Sequence, residues 1–327
     1  MAPGPSPATF PSASRREPLW PARFGCYAVP VRGHAVRASG RLPRPESGSA
    51  ALVTGASSGI GAEIARGLAR RGHDVVLVAR RQALLERVAD DCARAGVAAL
   101  ALPCDLTVAA EREMLADRLA EQGRSVAVLC NVAGTGRPAG HVTAVPVDGS
   151  VALLRLDLEA MVDLCSRFVP AMVERGRGAV LNMCSLSSFT PWPAMATYAA
   201  AKAGALSFTE ALHTEVRAHG VAVTAACPGF VSTDFIEAAS LTAAAAAAPA
   251  WVFDRPADVA EHALAALDRN RRVAVHSLRY RAGATALRVL PHGLVMTALD
   301  RWSPFRSGGP VASGGAAAEQ VRPAPVR

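Results

Sequence analysis

From Ala50 onward the chain alternates short β-branched runs with longer stretches of helical pattern, and this alternation is the sequence feature that most constrains the fold. A run such as Val75-Val76-Leu77-Val78 is apolar throughout, which is typical of a strand buried on both faces of a parallel sheet. The sequence therefore predicts a single α/β domain with a doubly wound parallel seven-stranded sheet, which binds ligands beyond the carboxyl ends of its strands. The predicted strands cover residues 50–54, 74–79, 97–102, 126–130, 179–184, 221–226 and 272–276.

The two ends of the chain differ in composition from this central region. Residues 1–49 contain nine prolines and seven arginines against two acidic residues, and so carry +5 of the formal net charge of +8. We expect a disordered basic N-terminal extension there, or sequence upstream of the true start codon, because the prolines oppose an amphipathic transit helix and no apolar run forms a secretory signal. The remainder is nearly neutral, which gives no support for a nucleic-acid partner. The predicted organisation continues with a nucleotide-binding domain at 50–280, a C-terminal helical appendage at 281–302 and a disordered tail at 303–327.

The cysteine pattern and the hydropathy pattern indicate the cellular compartment and the absence of a membrane-spanning segment. Seven cysteines are scattered without a Cys-x-x-Cys pair or a neighbouring His cluster. This pattern favours buried reduced thiols, a cytoplasmic location and no metal site. No run of about 18 apolar residues occurs, so no integral membrane association is predicted.

A glycine-rich turn follows the first predicted strand and reads Thr54-Gly55-Ala56-Ser57-Ser58-Gly59-Ile60-Gly61. Glycines at this place let the backbone approach a pyrophosphate, which the N-terminus of the helix beginning near Gly59 stabilises. After the second strand stand Arg80 and Arg81, with no acid to bind the ribose hydroxyls. Arginine there pairs with a 2′-phosphate, so NADP(H) is favoured and NAD(H) remains possible, with Arg80 the stronger candidate. The alternative is a solvated Arg pair that opens the next helix.

Tyr198 and Lys202 stand four residues apart, and Lys202 is the only lysine beside 34 arginines. On a helix these two side chains share one face. A neighbouring ammonium lowers the pKa of a phenol, and unlike Arg it can pass a proton. The pair therefore indicates a catalytic site, and the alternative is an ordinary surface Tyr and Lys.

Five motifs stand in the order and spacing of one known family. They are the turn at 54–61, Asn131-Val132-Ala133-Gly134 after the fourth strand, Ser185 thirteen residues before Tyr198, Lys202, and Pro228-Gly229 after the sixth strand. Over about residues 50–280 the chain resembles the classical short-chain dehydrogenases/reductases, a resemblance that implies a Rossmann-type fold and NAD(P)-dependent oxidoreductase activity.

The resemblance implies a role for each matched residue. Tyr198 is implied as the general acid and base, Lys202 as the group that lowers its pKa and holds the nicotinamide ribose, and Ser185 as the hydrogen-bond donor to the substrate oxygen. Ser187 and Ser188 are chemically able rivals of Ser185 without the family spacing. The implied cofactor-binding residues, besides Tyr198 and Lys202, are Thr54, Gly55, Ser57, Ser58, Gly59, Ile60, Gly61, Arg80, Asp105, Leu106, Asn131, Ala133, Gly134, Pro228, Gly229, Val231 and Thr233.

Two acidic residues, Asp105 and Asp157, stand at positions that correspond to functional positions of the family. Asp105 matches the acid that accepts a hydrogen bond from the adenine amino group, although it could equally be the N-cap of the helix starting around Thr107. Asp157 stands where the family usually has an Asn, on a stripe with Leu154, Leu158 and Met161 that indicates an inward face. We expect Asp157 to draw Lys202 into an ion pair, to raise the lysine pKa and to alter the proton relay of the catalytic group.

Bulky apolar residues near the catalytic pair predict a lipophilic ketone or alcohol as small-molecule substrate. Two alternatives are a ketoreductase acting on a carrier-bound 3-oxoacyl group, and a low-turnover NADP(H)-sensing regulatory protein. The apolar residues are Phe189, Trp192, Met195, Phe235, Ile236, Trp251 and Phe253, with an alanine run at 243–248 that predicts a helix.

The resemblance also implies a homodimer or homotetramer built on two long helices, predicted at 150–175 and 197–218. An apolar stripe of Leu206, Phe208 and Leu212 must also be covered by some part of the protein. After the last strand, residues 279–302 have a helical pattern interrupted at Pro291, typical of a surface helix packed on the domain.

Overall fold

In the computed structural model, residues 41–233 and 249–302 are described. They contain a seven-stranded sheet in which every pairing is parallel, with the order β3-β2-β1-β4-β5-β6-β7. The predicted doubly wound α/β fold is therefore confirmed. The strands are β1 Ser49–Thr54, β2 Asp74–Ala79, β3 Ala99–Pro103, β4 Ser125–Asn131, β5 Gly178–Met183, β6 Val221–Ala226 and β7 Val273–Ala274.

Helices connect the strands and cover both faces of the sheet. Three precede β4: α1 Gly59–Arg70, α2 Gln82–Ala93 and α3 Ala109–Glu121. Between β4 and β5, α4 Val147–Leu154 runs through a π-helical segment, Arg155–Glu159, into α5 Ala160–Glu174. The remaining helices are α6 Ala196–Val216, α7 Pro256–Asp268, α8 Leu278–Val289 and α9 His292–Trp302, with short 3-10 turns at Leu186–Ser188, Arg217–His219 and Ala250–Val252.

Successive residues of each strand point to opposite faces, and each face has its own core. Leu52 of β1 and Leu129 of β4 belong to the core beneath α5 and α6. Val53 and Leu181 belong to the core beneath α1, α2 and α7. Burial of one such side chain contributes about 2 kcal/mol, and the near-continuous apolar strands follow from this two-sided burial.

The apolar stripe of α6 is covered by the chain itself. Leu206 and Leu212 are buried members of the first core, and Phe208 packs against it. The stripe thus has the cover that was expected for it, and it gives no support for a second subunit. The spacing of these apolar residues reflects the packing of α6 on the sheet.

The sheet edges differ most from the predicted bounds. β3 begins at Ala99 instead of 97, and β7 has two residues, Val273 and Ala274, instead of 272–276. β7 ends early because His276 turns to bond Asp254 and Ser277 takes the left-handed conformation, with φ of 60°, before α8. α8 begins at Leu278, and Pro291 separates it from α9, where the sequence pattern is interrupted.

Several sequence predictions lie outside the described residues. They concern most of the N-terminal extension, Cys26, Phe235, Ile236, the alanine run at 243–248 and the tail at 303–327. The six other cysteines are buried free thiols. Within 41–233 and 249–302, no helix combines the length and the apolar character that crossing a bilayer requires.

Candidate functional site

The motifs singled out in the sequence meet at the carboxyl edge of the sheet. The glycine turn follows β1, Asn131 ends β4, Ser185 follows β5 and Pro228 follows β6. Since parallel strands end at the same edge, the sheet order places β4 between β1 and β5, and so brings these segments side by side.

The glycine turn is bound tightly to the segment after β4. Thr54 Oγ1 accepts hydrogen bonds from the backbone N–H groups of Val132 at 3.0 Å and Ala133 at 3.1 Å. Gly55 has a φ of 66°, and a Cβ there would lie 2.8 Å from the Ala133 backbone, so only glycine fits. The sequence predicted the glycine, but it did not predict the segment after β4 against which this glycine packs.

The N-terminus of α1 is open to an anion. Ser58 is the N-cap residue, yet its side chain makes no capping hydrogen bond to the first turn. Arg81 instead donates to Ser58 Oγ at 2.7 Å and to Ser57 Oγ at 3.1 Å. Backbone N–H groups at a helix N-terminus suit the pyrophosphate of a dinucleotide, and the guanidinium beside them suits a further phosphate.

The charge of Arg80 acts on a different neighbour, Asp105. Burial acts to raise the pKa of Asp105, but hydrogen bonds from Thr107 and the charge of Arg80 outweigh it and hold the pKa below its ordinary value. The Asp105 carboxylate accepts from the Thr107 N–H at 2.9 Å and from its hydroxyl at 2.8 Å. The N-cap of α3 is Val108, so the alternative of Asp105 as that N-cap was wrong, and its side chain closes the turn before the helix.

Leu106, which was also predicted to bind cofactor, is buried, and its carbonyl accepts from Arg112 at 2.7 Å. Arg112 is itself buried between the carboxylates of Glu159 and Asp163 on the helix that carries Asp157. This arginine was missed in the sequence, where it resembles any surface residue of an amphipathic helix. Arg112 thereby joins the loop after β3 to the helix that carries Asp157.

Ser185 is distinguished from its neighbours by its place in a small turn. Its Oγ accepts from the Ser187 N–H at 3.1 Å, while Ser188 Oγ accepts from the Ser185 N–H at 3.2 Å. Ser188 is thereby engaged in capping the 3-10 turn that Ser185 opens. Ser185 also hydrogen-bonds Tyr198.

Tyr198 and Lys202 lie on one face of α6, as their spacing predicts. Both are buried, and Lys202 Nζ lies 5.7 Å from the centroid of the Tyr198 ring. The Nζ group donates to the Met183 carbonyl at 3.1 Å at the end of β5. A surface pair is excluded by this burial.

Asp157 is the second partner of Lys202. Its Oδ2 lies 3.0 Å from Lys202 Nζ, and its Oδ1 accepts from the Thr135 N–H at 2.8 Å. Asp157 belongs to the π-helical segment, in which backbone hydrogen bonds join residues five apart, and its carboxylate is buried. The expected ion pair is present, and Asp157 is only 1% exposed.

These charges set the protonation of the site. Burial acts to lower the pKa of Lys202, but the carboxylate of Asp157, together with Tyr198 and Cys184, outweighs it and raises that pKa above its ordinary value. Burial raises the pKa of Tyr198, and Lys202 only partly opposes this, because Asp157 adds to the rise. The lowering of the tyrosine pKa by Lys202 is thus present but is not the net result.

Asn131 and the Pro228 loop are partly structural. Asn131 Nδ2 donates to Asn182 Oδ1 at 2.8 Å, which joins β4 to β5 beneath the site. The Leu186 N–H donates to the Pro228 carbonyl at 3.0 Å, so the serine turn and the loop after β6 hold each other. Val231 is buried, and Thr233 ends the described part of that loop.

Aromatic rings line one side of the site. Trp192 and Phe230 meet edge to face with centroids 6.4 Å apart, and Phe230 and Phe253 do so at 6.2 Å. We call these three residues the aromatic wall. Met195 and Trp192 also pack in a cluster with Tyr198, whereas Phe189 packs against the core and Trp251 is 68% exposed. Phe230 was missed as a candidate in the sequence because it lies within the Pro-Gly motif.

A doubly wound parallel sheet with a glycine turn after β1 and a Ser-Tyr-Lys cluster after β5 defines an oxidoreductase of the nucleotide-binding α/β class. The family model described as short chain dehydrogenase matches residues 49–244, and the chain belongs to that family. The resemblance seen in the sequence is confirmed.

Among curated proteins, a putative ketoacyl reductase of Streptomyces coelicolor is 38% identical over 186 residues, which is 56% of this chain and 70% of that protein. A probable oxidoreductase of Mycobacterium bovis, EphD, is 31% identical over 185 residues, which is 56% of this chain and 31% of that protein.

Two solved structures are similar over most of their own length. A short-chain dehydrogenase from Sphingobium yanoikuyae, in complex with NADPH, has a TM-score of 0.67 and 33% identity, covering 76% of this chain and 95% of that one. An alcohol dehydrogenase from Comamonas testosteroni, described as specific for bulky-bulky ketones, has a TM-score of 0.62 and 27% identity, covering 76% of this chain and 93% of that one.

Proposed function

We propose that the protein is an NADP(H)-dependent oxidoreductase that interconverts a lipophilic ketone and its alcohol, with Tyr198 as general acid and base. The observation that carries this proposal is the buried Tyr198 hydroxyl, hydrogen-bonded to Ser185 with Lys202 on the same helix face. The nicotinamide of the bound cofactor supplies or accepts the hydride.

The chain's own groups account for the proton. During reduction Tyr198 donates its proton to the carbonyl oxygen, and during oxidation the phenolate takes a proton from the alcohol. Ser185 hydrogen-bonds the same oxygen and stabilises the charge that develops on it. Since burial raises the pKa of Tyr198, the phenol stays protonated at neutral pH, which suits the reduction of a carbonyl.

The phosphate preference rests on both arginines after β2. Arg81 donates to the serines of the glycine turn, and the charge of Arg80 lowers the pKa of Asp105. A positive pair at this corner suits a 2′-phosphate, and the relative from Sphingobium yanoikuyae is a complex with NADPH. NADP(H) is therefore the proposed cofactor, with NAD(H) as the weaker ligand.

We expect Arg80→Ala and Arg81→Ala each to weaken NADPH binding by roughly ten- to a hundredfold, because a charge-assisted hydrogen bond to phosphate is lost. NADH binding should stay within about twofold, since NADH lacks that phosphate. Fluorescence titration of both nucleotides measures this, with Arg87→Ala, an exposed arginine of the same helix, as the matched control. Equal loss for NADPH and NADH in either variant would show that the arginine does not read the 2′-phosphate.

The substrate class is proposed from the aromatic wall. Three aromatic rings, of which Trp192 packs against the cluster containing Tyr198, offer a large apolar surface to a ketone. A screen of ketones with NADPH tests the proposal, and oxidation of NADPH by bulky aryl ketones is the expected result. NADPH binding without turnover across the panel would instead favour the NADP(H)-sensing alternative.

A ketoreductase acting on a carrier-bound 3-oxoacyl group is a second candidate, favoured by the name of the Streptomyces coelicolor relative. The N-acetylcysteamine thioester of a 3-oxo acid serves as its probe. A kcat/KM for this thioester well above that for aryl ketones would place the protein in that class.

Homodimer or homotetramer formation is proposed from the family resemblance. Three apolar residues of α4, Val147, Val151 and Leu154, follow helical spacing and are exposed. They support a contact between copies through this helix. Light scattering of the full chain, compared with Val151→Glu, measures the assembly.

A further inference from the structure

The two segments on either side of the aromatic wall lie next to each other. Val231 and Asp254 form a single parallel β-bridge. The Asp254 N–H donates to the Phe230 carbonyl at 2.9 Å, and the Ser232 N–H donates to the Asp254 carbonyl at 3.1 Å. Phe230 and Phe253 therefore keep their spacing only as long as these segments stay paired.

Tyr280, in the first turn of α8, joins the same two segments through one hydroxyl. The Tyr280 hydroxyl accepts from the Phe230 N–H at 3.2 Å and donates to the Val252 carbonyl. Its ring lies on Gly229, where an added Cβ would be 2.2 Å from the ring carbon Cζ. Glycine is required at 229 because the tyrosine ring occupies the side-chain position.

A buried carboxylate completes the contact between α8 and the wall. Asp254 accepts from Arg279, and also from His276 Nδ1 at 2.8 Å. The Arg279 guanidinium in turn lies 4.8 Å from the centroid of the Tyr280 ring. Because the Asp254 side chain is only 6% exposed, loss of a cationic partner leaves a buried charge poorly compensated.

We propose that Arg279 and Tyr280 are positioning residues that fix the aromatic wall and thereby determine which size of ketone the site accepts. This inference rests on the proposed function. Neither side chain belongs to the Ser-Tyr-Lys cluster. Tyr280 acts through the backbone of Phe230 and Val252, and Arg279 acts through the side chain of Asp254. The beginning of the C-terminal helix is thus part of the specificity of the site.

The test compares Tyr280→Phe and Arg279→Gln in the full chain, with Arg281→Gln, an exposed arginine of the same helix turn, as the control. Tyr280→Phe keeps the ring on Gly229 and removes both hydrogen bonds. We expect kcat/KM for benzophenone to fall about tenfold in both variants, while that for 2-butanone and the Kd for NADPH change by less than about threefold. Equal losses for both ketones, or weaker NADPH binding, would indicate general damage and overturn the proposal, as would no change at all.

A second measurement separates the contact from the activity. Hydrogen exchange of peptides covering 228–233 and 250–254 is expected to become about tenfold faster in Tyr280→Phe and to stay unchanged in Arg281→Gln. Unchanged exchange in Tyr280→Phe means that the hydroxyl does not hold the segments, and overturns the positioning role. If the wild-type chain reduces neither ketone, the proposed function fails, while exchange still decides whether α8 holds the wall.

Discussion

Tyr198→Phe is expected to lower kcat for ketone reduction about a thousandfold, because the proton donor of the reaction is lost. The phenyl ring keeps the packing against Met195 and Leu153, so the fold and the Kd for NADPH should stay close to those of the wild type. Steady-state kinetics and fluorescence titration on the same preparation measure both quantities. Residual activity within tenfold of the wild type would remove Tyr198 from the proton-transfer step.

A matched serine pair serves as the control for this site. Ser185→Ala should lower kcat about a hundredfold, since a hydrogen bond to the developing oxyanion is lost. Ser187→Ala, two residues further along the same turn, should leave kcat within about twofold, because its role in the turn is through the backbone N–H. Similar losses in both variants would mean that the turn as a whole, and not the Ser185 hydroxyl, supports catalysis.

Asp157→Asn is expected to move the pH dependence of alcohol oxidation to lower pH by about one unit. The Asp157 charge raises the pKa of Tyr198, so its removal lowers that pKa, and the phenolate that oxidation requires forms at lower pH. The amide oxygen can still accept from the Thr135 N–H. The readout is kcat for oxidation between about pH 7 and 11, because the pKa of Tyr198 lies above the ordinary tyrosine value near 10.

Asp157→Leu provides the contrasting variant. It leaves Lys202 buried without its carboxylate and is expected to destabilise the fold by about 3 kcal/mol. Denaturant unfolding measures this loss, which Asn should show only in part. If the pH profile of Asp157→Asn matches that of the wild type, the carboxylate does not tune the tyrosine and the altered proton relay is ruled out.

The fold could be predicted from the sequence because its determinants are local. Apolar runs such as Val75–Val78 require two covered faces, and the spacing from Tyr198 to Lys202 requires one helix face. The ion pair of Asp157 with Lys202 could also be predicted, since the inward stripe and the lone lysine both indicated it. Asp157 and Lys202 are in contact because of the order of the strands in the sheet, which the family resemblance implied.

Other features could not be predicted because they depend on contacts between distant segments. The Tyr280 hydroxyl reaches Phe230, fifty residues earlier in the chain, and no periodicity in residues 279–302 indicates this. The same holds for Arg81 on Ser57 and Ser58, which sequence reasoning ranked below Arg80. The net rise in the pKa of Tyr198 could not be predicted because its largest cause is burial of the phenol. The spacing between Tyr198 and Lys202 does not show how deeply the phenol is buried.

The burial of Lys202 has a practical consequence for chemical labelling. Lys202 is the only lysine in the sequence, and its ammonium group is held between Asp157 and the Met183 carbonyl. Reagents that acylate amines need a neutral, accessible nitrogen, so the folded chain presents them with little besides its N-terminus. The rate at which Lys202 is acylated therefore reports how often this one site opens, without any engineered probe.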